Sequence, residues 1–244
     1  MTNATKPVTT KEIKIPSHDG RAFGTFIAMP EDAGKDTKYP ALIVIQEIFG
    51  VNQELREKCK EFASQGYITI CPDLFWRIER NVQLTDSNEK ELERAFELYN
   101  AFNFGDGMED LKTTVGYAKN WEICSDKVGA IGYCLGGHLS YRLAAVCELD
   151  AAVSYYGVQI EEYLDEAENV EEPLLLHIAE EDEYVNKEAQ AKILNAIEGK
   201  ENITAQIYEG QDHAFARYNG MHYNEQAANL ANTRTKAFFA THLS

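Results

Sequence analysis

The sequence has no apolar stretch long enough to span a bilayer. Its longest apolar runs, such as residues 41–45 and 174–176, have the length of strands, whereas a membrane helix needs about 20 apolar residues. Residues 1–10 are polar and lack the apolar centre of a secretory signal. Together these absences predict a soluble, cytoplasmic protein with no membrane partner. Basic residues are also scarce: 23 Lys and Arg stand against 40 Asp and Glu, a formal net charge of −17. Such a field repels a nucleic-acid backbone as well as an anionic membrane face, so no nucleic-acid partner is expected. The acidity itself reads as solubility, but an anionic ligand would need a local cation to offset it. Paired cysteine motifs are missing too. The five cysteines are odd in number and include no CxxC, which argues against both a disulfide framework and a cysteine zinc site. No repeat or low-complexity tract occurs, and Pro and Gly are too few to signal disorder.

What remains is ordinary globular composition, with 44% hydrophobic and 26% charged residues in 244. That length suits one domain over 1–244, with residues 1–10 as a loose N-terminal segment, and a monomer is expected. An opening ribbon of residues 11–16 and 22–30 turns at His18-Asp19-Gly20. Strands are then predicted at 41–47, 67–72, 127–133, 151–156, 173–179 and 203–208. Helices are predicted at 53–65, 88–102, 107–122, 136–147, 186–197 and 222–241. Eight strands with mostly helical crossovers imply an α/β fold with a doubly wound, largely parallel sheet and helices on both faces. Ligands of such sheets bind at the carboxyl ends of the strands. Four cysteines read as structural: Cys59 and Cys147 on helices, Cys71 at a strand end and Cys124 in a connection.

Cys134 is different. Gly132-Tyr133-Cys134-Leu135-Gly136-Gly137 has the pattern of the nucleophile elbow of α/β-hydrolases, with cysteine in the serine position. The turn holds its central residue in a strained conformation, and side chains two positions to either side would strike neighbouring backbone. It exposes the sulfur at a helix N-terminus, where a thiolate is stabilised. A thiol nucleophile needs a base, and the base needs an orienting group. Asp182 follows the strand at 174–179 and His213 follows the strand at 203–208, in the order nucleophile, acid, histidine. His177, inside a strand, reads as a satisfied core histidine, and His138 packs in the helix after the elbow. His222 and His242 fall on the last helix, and His18 lies in the N-terminal turn. Asp212 adjoins His213, but sequence neighbours seldom face each other productively, and Glu180, Glu181 and Glu183 read as a solvated edge. In Gln46-Glu47-Ile48-Phe49-Gly50, the backbone N–H of Ile48 pairs in role with that of Leu135 as an oxyanion hole. Glu47, at the end of a buried strand, needs a partner, either Cys134 or a surface cation.

Those segments, with Pro72-Asp73-Leu74-Phe75, Tyr155-Tyr156-Gly157 and His213-Ala214-Phe215-Ala216-Arg217, resemble the dienelactone hydrolase (carboxymethylenebutenolidase) family over nearly the whole chain. The resemblance implies hydrolysis of an enol-lactone such as dienelactone to maleylacetate, without a metal or organic cofactor. It implies Cys134 as nucleophile, His213 as base, Asp182 as its orienter and Glu47 as a second acid that helps form the thiolate. Arg217 resembles the arginine that binds the substrate carboxylate. Tyr155 lines the pocket or packs in the core. The family's second carboxylate-binding arginine has no counterpart: its position falls near Leu92, flanked by Lys90 and Arg94, with Arg77 and Arg80 upstream. A carboxylesterase or thioesterase of the same fold is the alternative enzyme. A non-catalytic or redox-responsive thiol protein is the alternative of another class.

Overall fold

The computed structural model describes residues 5–244. Its strands are β1 (Val8–Pro16), β2 (Ala22–Pro30), β3 (Tyr39–Ile45), β4 (Ile68–Pro72), β5 (Cys124–Tyr133), β6 (Ala151–Tyr155), β7 (Leu174–Ala179) and β8 (Ile203–Tyr208). Its helices are α1 (Gln53–Ser64), α2 (Glu89–Ala101), α3 (Phe104–Asn120), α4 (Leu135–Val146), α5 (Lys187–Ile197) and α6 (Glu225–His242). The strands form one eight-stranded sheet in the order β1-β2-β4-β3-β5-β6-β7-β8. By packing the chain resolves into two compact units, up to Gly129 and from Ala130 onward, and β5 begins in the first and ends in the second.

In the first unit β1, β2 and β4 pair antiparallel, while β3 and β4 are parallel. β3 and β4 are apolar along almost their whole length because both of their faces are covered. α1 buries Leu55, Cys59, Phe62 and Ala63 on one stripe. In the second unit β6, β7 and β8 are parallel, with Leu174 opposite both Ala152 and Ile203. α4 packs on β6 and is buried over most of its length.

Five helices start the same way. The side chains of Asn52, Asn88, Asn103, Asn186 and Asn224 each accept the backbone N–H three residues on, which satisfies one of the open donors of a first turn. The exception is α4, whose N-cap is Cys134 and makes no side-chain cap bond.

The structure moves several predicted boundaries. β1 starts at Val8, and Val8–Thr10 pair with Pro30–Ala28, so the end of the segment expected to be loose is sheet; residues 1–4 of that segment lie outside the described residues. β3 stops at Ile45, leaving Glu47 in the following turn, and Cys124 opens β5 rather than lying in a connection. α6 begins after Asn224, so His222 precedes the helix. Among the described residues no helix is long and apolar enough to cross a membrane.

Candidate active site

The second unit gathers Cys134, Asp182 and His213, contributed by the turn after β5 and the loops after β7 and β8. Cys134 has φ 55° and ψ −115°, a region from which side-chain crowding normally bars an L-residue. The neighbouring glycine makes that turn feasible: a Cβ on Gly132 would lie 1.8 Å from the Gly136 carbonyl oxygen. The Cys134 N–H donates to the Tyr155 carbonyl at 3.0 Å, and the His138 N–H to the Cys134 carbonyl at 3.1 Å. The backbone of the elbow is therefore held between β6 and α4. Leu135, the first residue of α4, has an N–H without an acceptor inside the helix.

Asp182 is almost wholly buried. Its Oδ1 accepts the N–H groups of Tyr184 at 2.9 Å and Val185 at 3.2 Å. Both of its oxygens face His213 Nδ1, at 3.1 and 2.9 Å. A carboxylate only accepts, so Nδ1 carries the proton and Nε2 is left for the thiol. The Cys134 side chain hydrogen-bonds this imidazole. Burial alone would lower the His213 pKa, but the adjacent Cys134 sulfur and Asp182 carboxylate outweigh it and raise the value to about 10. The imidazole is thus favoured in its protonated form by the two side chains that flank it.

Two tyrosines that sequence reasoning did not single out frame the imidazole. The Tyr156 ring meets it edge-on at 5.1 Å and the Tyr184 ring at 4.9 Å. Tyr184 stands two residues beyond Asp182 and is 47% exposed, so it covers the outer side of a histidine that is itself buried. Burial and the Glu183 charge push the Tyr184 phenol to about 12, which keeps it protonated. Tyr156 and Ala214, like Cys134, have positive φ, at 38° and 62°. Three of the seven non-glycine residues with positive φ among the described residues thus lie at or beside Cys134 and His213.

The other histidines are accounted for. His177 is bonded by the Tyr208 hydroxyl at 2.7 Å and by Thr235 Oγ1 at 2.9 Å, and burial lowers its pKa to about 3. His138 Nδ1 lies 2.7 Å from the Val158 carbonyl, and burial lowers its pKa to about 4. His222 Nδ1 sits 3.2 Å from the His213 carbonyl and 3.4 Å from Asp212 Oδ2. Asp212 also accepts the His213 backbone N–H at 2.7 Å; it supports the loop while Asp182 takes the ring. His18 lies 3.8 Å from Asp106, and the His242 ring packs on Phe238.

Arg217 is half-buried in the turn after His213, where its N–H donates to the Ala214 carbonyl at 2.9 Å. A Cβ on Gly220 would come within 2.8 Å of Arg217 Nε, so that glycine leaves room for the guanidinium. Tyr155 is fully buried, and its hydroxyl bonds Asn232 Oδ1 at 3.0 Å and Thr235 Oγ1 at 2.7 Å. Of the two roles expected for Tyr155, these contacts fit core packing, in which it ties β6 to α6. Glu47 and Ile48 belong to the first unit, buried in the turn after β3. The arginines upstream of Leu92 are engaged: Arg77 with Asp110, and Arg80 with the Ala22 carbonyl. Arg94 pairs with Glu79 and Glu97. Among the described residues no cluster of three or more His, Cys, Asp or Glu side chains is suited to a metal ion.

Comparison with known proteins gives this geometry a context. The model of the dienelactone hydrolase family matches residues 23–243. A candidate carboxymethylenebutenolidase of Azospirillum brasilense is 44% identical over 238 residues, 95% of this chain and 99% of that protein. The carboxymethylenebutenolidase of Pseudomonas putida is 36% identical over 231 residues, 95% of this chain and 96% of that one. The crystal structure of a candidate dienelactone hydrolase from Klebsiella pneumoniae subsp. pneumoniae MGH 78578 superposes with a TM-score of 0.85 at 26% identity, covering 96% of this chain and 99% of the other. The fold is that of the α/β-hydrolases.

Proposed function

We propose that this chain, which belongs to the dienelactone hydrolase family and is thus a hydrolase of ester or lactone bonds, cleaves an enol-lactone of the dienelactone type through Cys134, His213 and Asp182. The observation that carries this reading is the imidazole of His213, bonded through Nδ1 to a buried Asp182 and on its other side to Cys134, with its pKa raised to about 10. An imidazolium of that basicity favours a thiolate beside it, and a thiolate is the attacking species.

In the proposed cycle the Cys134 thiolate attacks the lactone carbonyl carbon. An S–C bond forms, and the carbonyl π pair moves to oxygen. The oxyanion is met by the Leu135 N–H at the start of α4. Collapse of the tetrahedral adduct breaks the ring C–O bond and releases the product end as an enolate. Water, deprotonated by that enolate, or by His213 once the imidazolium has given its proton to the enolate, adds to the thioester, and the S–C bond breaks to return the thiolate. A thiolate leaves readily, so an adduct with a poor leaving group reverts to substrate. Lactones and activated esters are therefore favoured over amides. Two further roles rest on the family resemblance: the Ile48 N–H as second donor to the oxyanion, and Glu47 as the acid that governs thiolate formation. Arg217 supplies the cation for a substrate carboxylate, which a chain of net charge −17 needs locally.

The engagement of Arg77, Arg80 and Arg94 elsewhere favours a second reading, a carboxylesterase or thioesterase acting on a different small ester whose charge differs from that of dienelactone. We take the two units as halves of one domain, a reading supported by the unbroken strand β5. The free thiols of Cys59, Cys71, Cys124 and Cys134 suit a reducing cytoplasm. The test is ultraviolet-monitored hydrolysis of cis- and trans-dienelactone by wild type and by folded Cys134→Ala. Turnover lost in the variant is expected, and full turnover in the variant would overturn the mechanism. Thiol-dependent cleavage of simple esters without dienelactone turnover would select the second reading.

A further inference from the structure

The final strand, β8, is a sheet edge of unusual composition. It pairs with β7 alone, and its sequence Ile203-Thr204-Ala205-Gln206-Ile207-Tyr208 contains no charge and no proline. Exposed edges that must stay unpaired are normally blunted by lysine, proline or inward charge. The opposite edge of this sheet follows that rule, since β1 carries Lys11, Glu12 and Lys14 and ends in Pro16.

The backbone phase of β8 is fixed by its flanking bonds. Leu174 N–H donates to the Asn202 carbonyl at 2.9 Å and Glu180 N–H to the Tyr208 carbonyl at 3.1 Å. In a parallel ladder alternate residues face the same neighbour, so Asn202, Thr204, Gln206 and Tyr208 turn towards β7. Ala205 and Ile207 turn their N–H and C=O groups to the open side, where β8 has no neighbouring strand. Ile207 and Leu230, on α6, are each 47% exposed. Both line a groove of about 280 Å³ that also includes Tyr208, Gln226, Ala227 and Arg234.

We propose that this edge pairs with the β8 edge of a second copy of the chain, antiparallel and about a two-fold axis at Gln206. The register follows from which groups are open. Ile203 N–H is already bonded to the Lys200 carbonyl, so centring on Ala205 would waste a donor. Centring on Gln206 sets Ala205 opposite Ile207 of the second copy, and all the open groups of both residues are used. This pairing removes Ile207 from water and lays the groove against the start of the other strand. It also brings a cation of one copy towards a carboxylate of the other. Arg234 rests over the Tyr208 ring at 5.4 Å and has no carboxylate partner among the described residues. In the antiparallel register the Tyr208 end of one strand, with Arg234 and the groove-lining Glu209, faces the Ile203 end of the other, which Glu201 precedes by two residues. Such an isologous interface closes on itself, which limits the assembly to a dimer. With each copy at −17, repulsion opposes association, so salt should strengthen it.

The experiment is sedimentation of the full chain over a range of concentration and salt. Twice the chain mass is expected, favoured at high salt. Ala205→Pro removes one outward N–H at an edge position where proline is otherwise tolerated, and should weaken the dimer at least about tenfold without loss of esterase activity. Gln206→Cys should form an intermolecular disulfide on mild oxidation, because a non-hydrogen-bonded antiparallel pair brings its Cα atoms to about 4.5 Å, within disulfide range. Thr204→Cys, facing Tyr208 of the second copy, should not. A wild type that stays monomeric at every salt and concentration overturns the proposal. So does a dimer indifferent to Ala205→Pro, or equal crosslinking of the two cysteine variants. Should Ala205→Pro fail to fold, the contrast between the cysteine variants decides alone.

Discussion

At the residue scale, the elbow holds the proposed nucleophile in a strained conformation, and instead of the exposure expected of its sulfur the residue is buried, at 8% exposure. Cys134 sits at φ 55°, and its carbonyl and N–H are fixed by α4 and β6, so the sulfur stays where the turn aims it. Gly132→Ala should then be among the most damaging single-methyl changes in the chain. Its Cβ would meet the backbone oxygen of Gly136 at 1.8 Å, and backbone cannot yield as a flexible side chain can. A loss of about 3 kcal/mol or more in urea midpoint analysis is expected; a loss under 1 kcal/mol (about the effect of a neutral surface change) would contradict the tight turn. Asp182→Asn should fold, since its Oδ1 can still accept the Tyr184 and Val185 N–H groups. The variant should lose kcat by about 10²–10⁴, and the His213 pKa should fall from its value near 10 when followed by NMR. The glycines, the cysteine and the order acid-then-histidine were legible because the elbow needs those residue types at fixed spacing. Tyr184 was not. An aromatic within Glu183-Tyr184-Val185 carries no periodic or motif signal, and only the turn that brings its ring edge-on to His213 reveals it.

The elements hold the site through polar clamps as much as through apolar packing. Gln190, buried on α5, reaches back to the loop that carries Asp182. Its Nε2 donates towards the carbonyls of Ala179, Glu180 and Val185 at 3.2, 3.0 and 2.7 Å. Gln190→Leu keeps the bulk and removes the donors. It should cost about 1–3 kcal/mol, and by loosening Asp182 it should lower kcat while leaving KM nearly unchanged. An unchanged kcat would mean that the loop is held by other contacts. Sequence periodicity found the strands and α-helices of the described residues, missed the short 3₁₀ helices at Ile160–Glu162 and Leu164–Asn169, and misjudged ends for local reasons. Val-Thr-Thr at 8–10 is too polar to read as strand and is recruited only by pairing with β2. His222 fits a helical pattern, but the Asn224 side chain caps the Ala227 N–H at 3.0 Å and fixes the start of α6 there. Long-range networks leave no trace in spacing at all. Asp110, fully buried on α3, accepts Ser17 Oγ and Trp76 Nε1 at 2.8 Å each and pairs with Arg77. Asp110→Ala would leave the Trp76 Nε1–H without its acceptor and the half-buried Arg77 with only the Asp19 and Asp106 carboxylates, at 3.5 and 3.9 Å, and should cost about 1–3 kcal/mol.

For the whole molecule, pH acts on stability through histidines buried in opposite charge states. His177 and His138 are held neutral, with pKa values lowered to about 3 and about 4. A lowered histidine pKa stabilises the fold above the unfolded value near 6.5, and that contribution is lost as pH falls from there through about 4. His213 has the reverse sign. Its raised pKa contributes below about 6.5 and is lost as pH rises towards about 10. The urea midpoint should therefore decline on both sides of neutrality. The acid limb should flatten in His177→Gln and the alkaline limb in Cys134→Ala, where the sulfur that raises His213 is gone. The most direct test of the central claim is mass spectrometry of enzyme acid-quenched during turnover of an activated lactone or ester. A single acyl adduct on the peptide carrying Cys134 is predicted, absent from Cys134→Ala. Turnover with no adduct on that peptide, or with an adduct on another side chain, would contradict a thiolate nucleophile at the elbow.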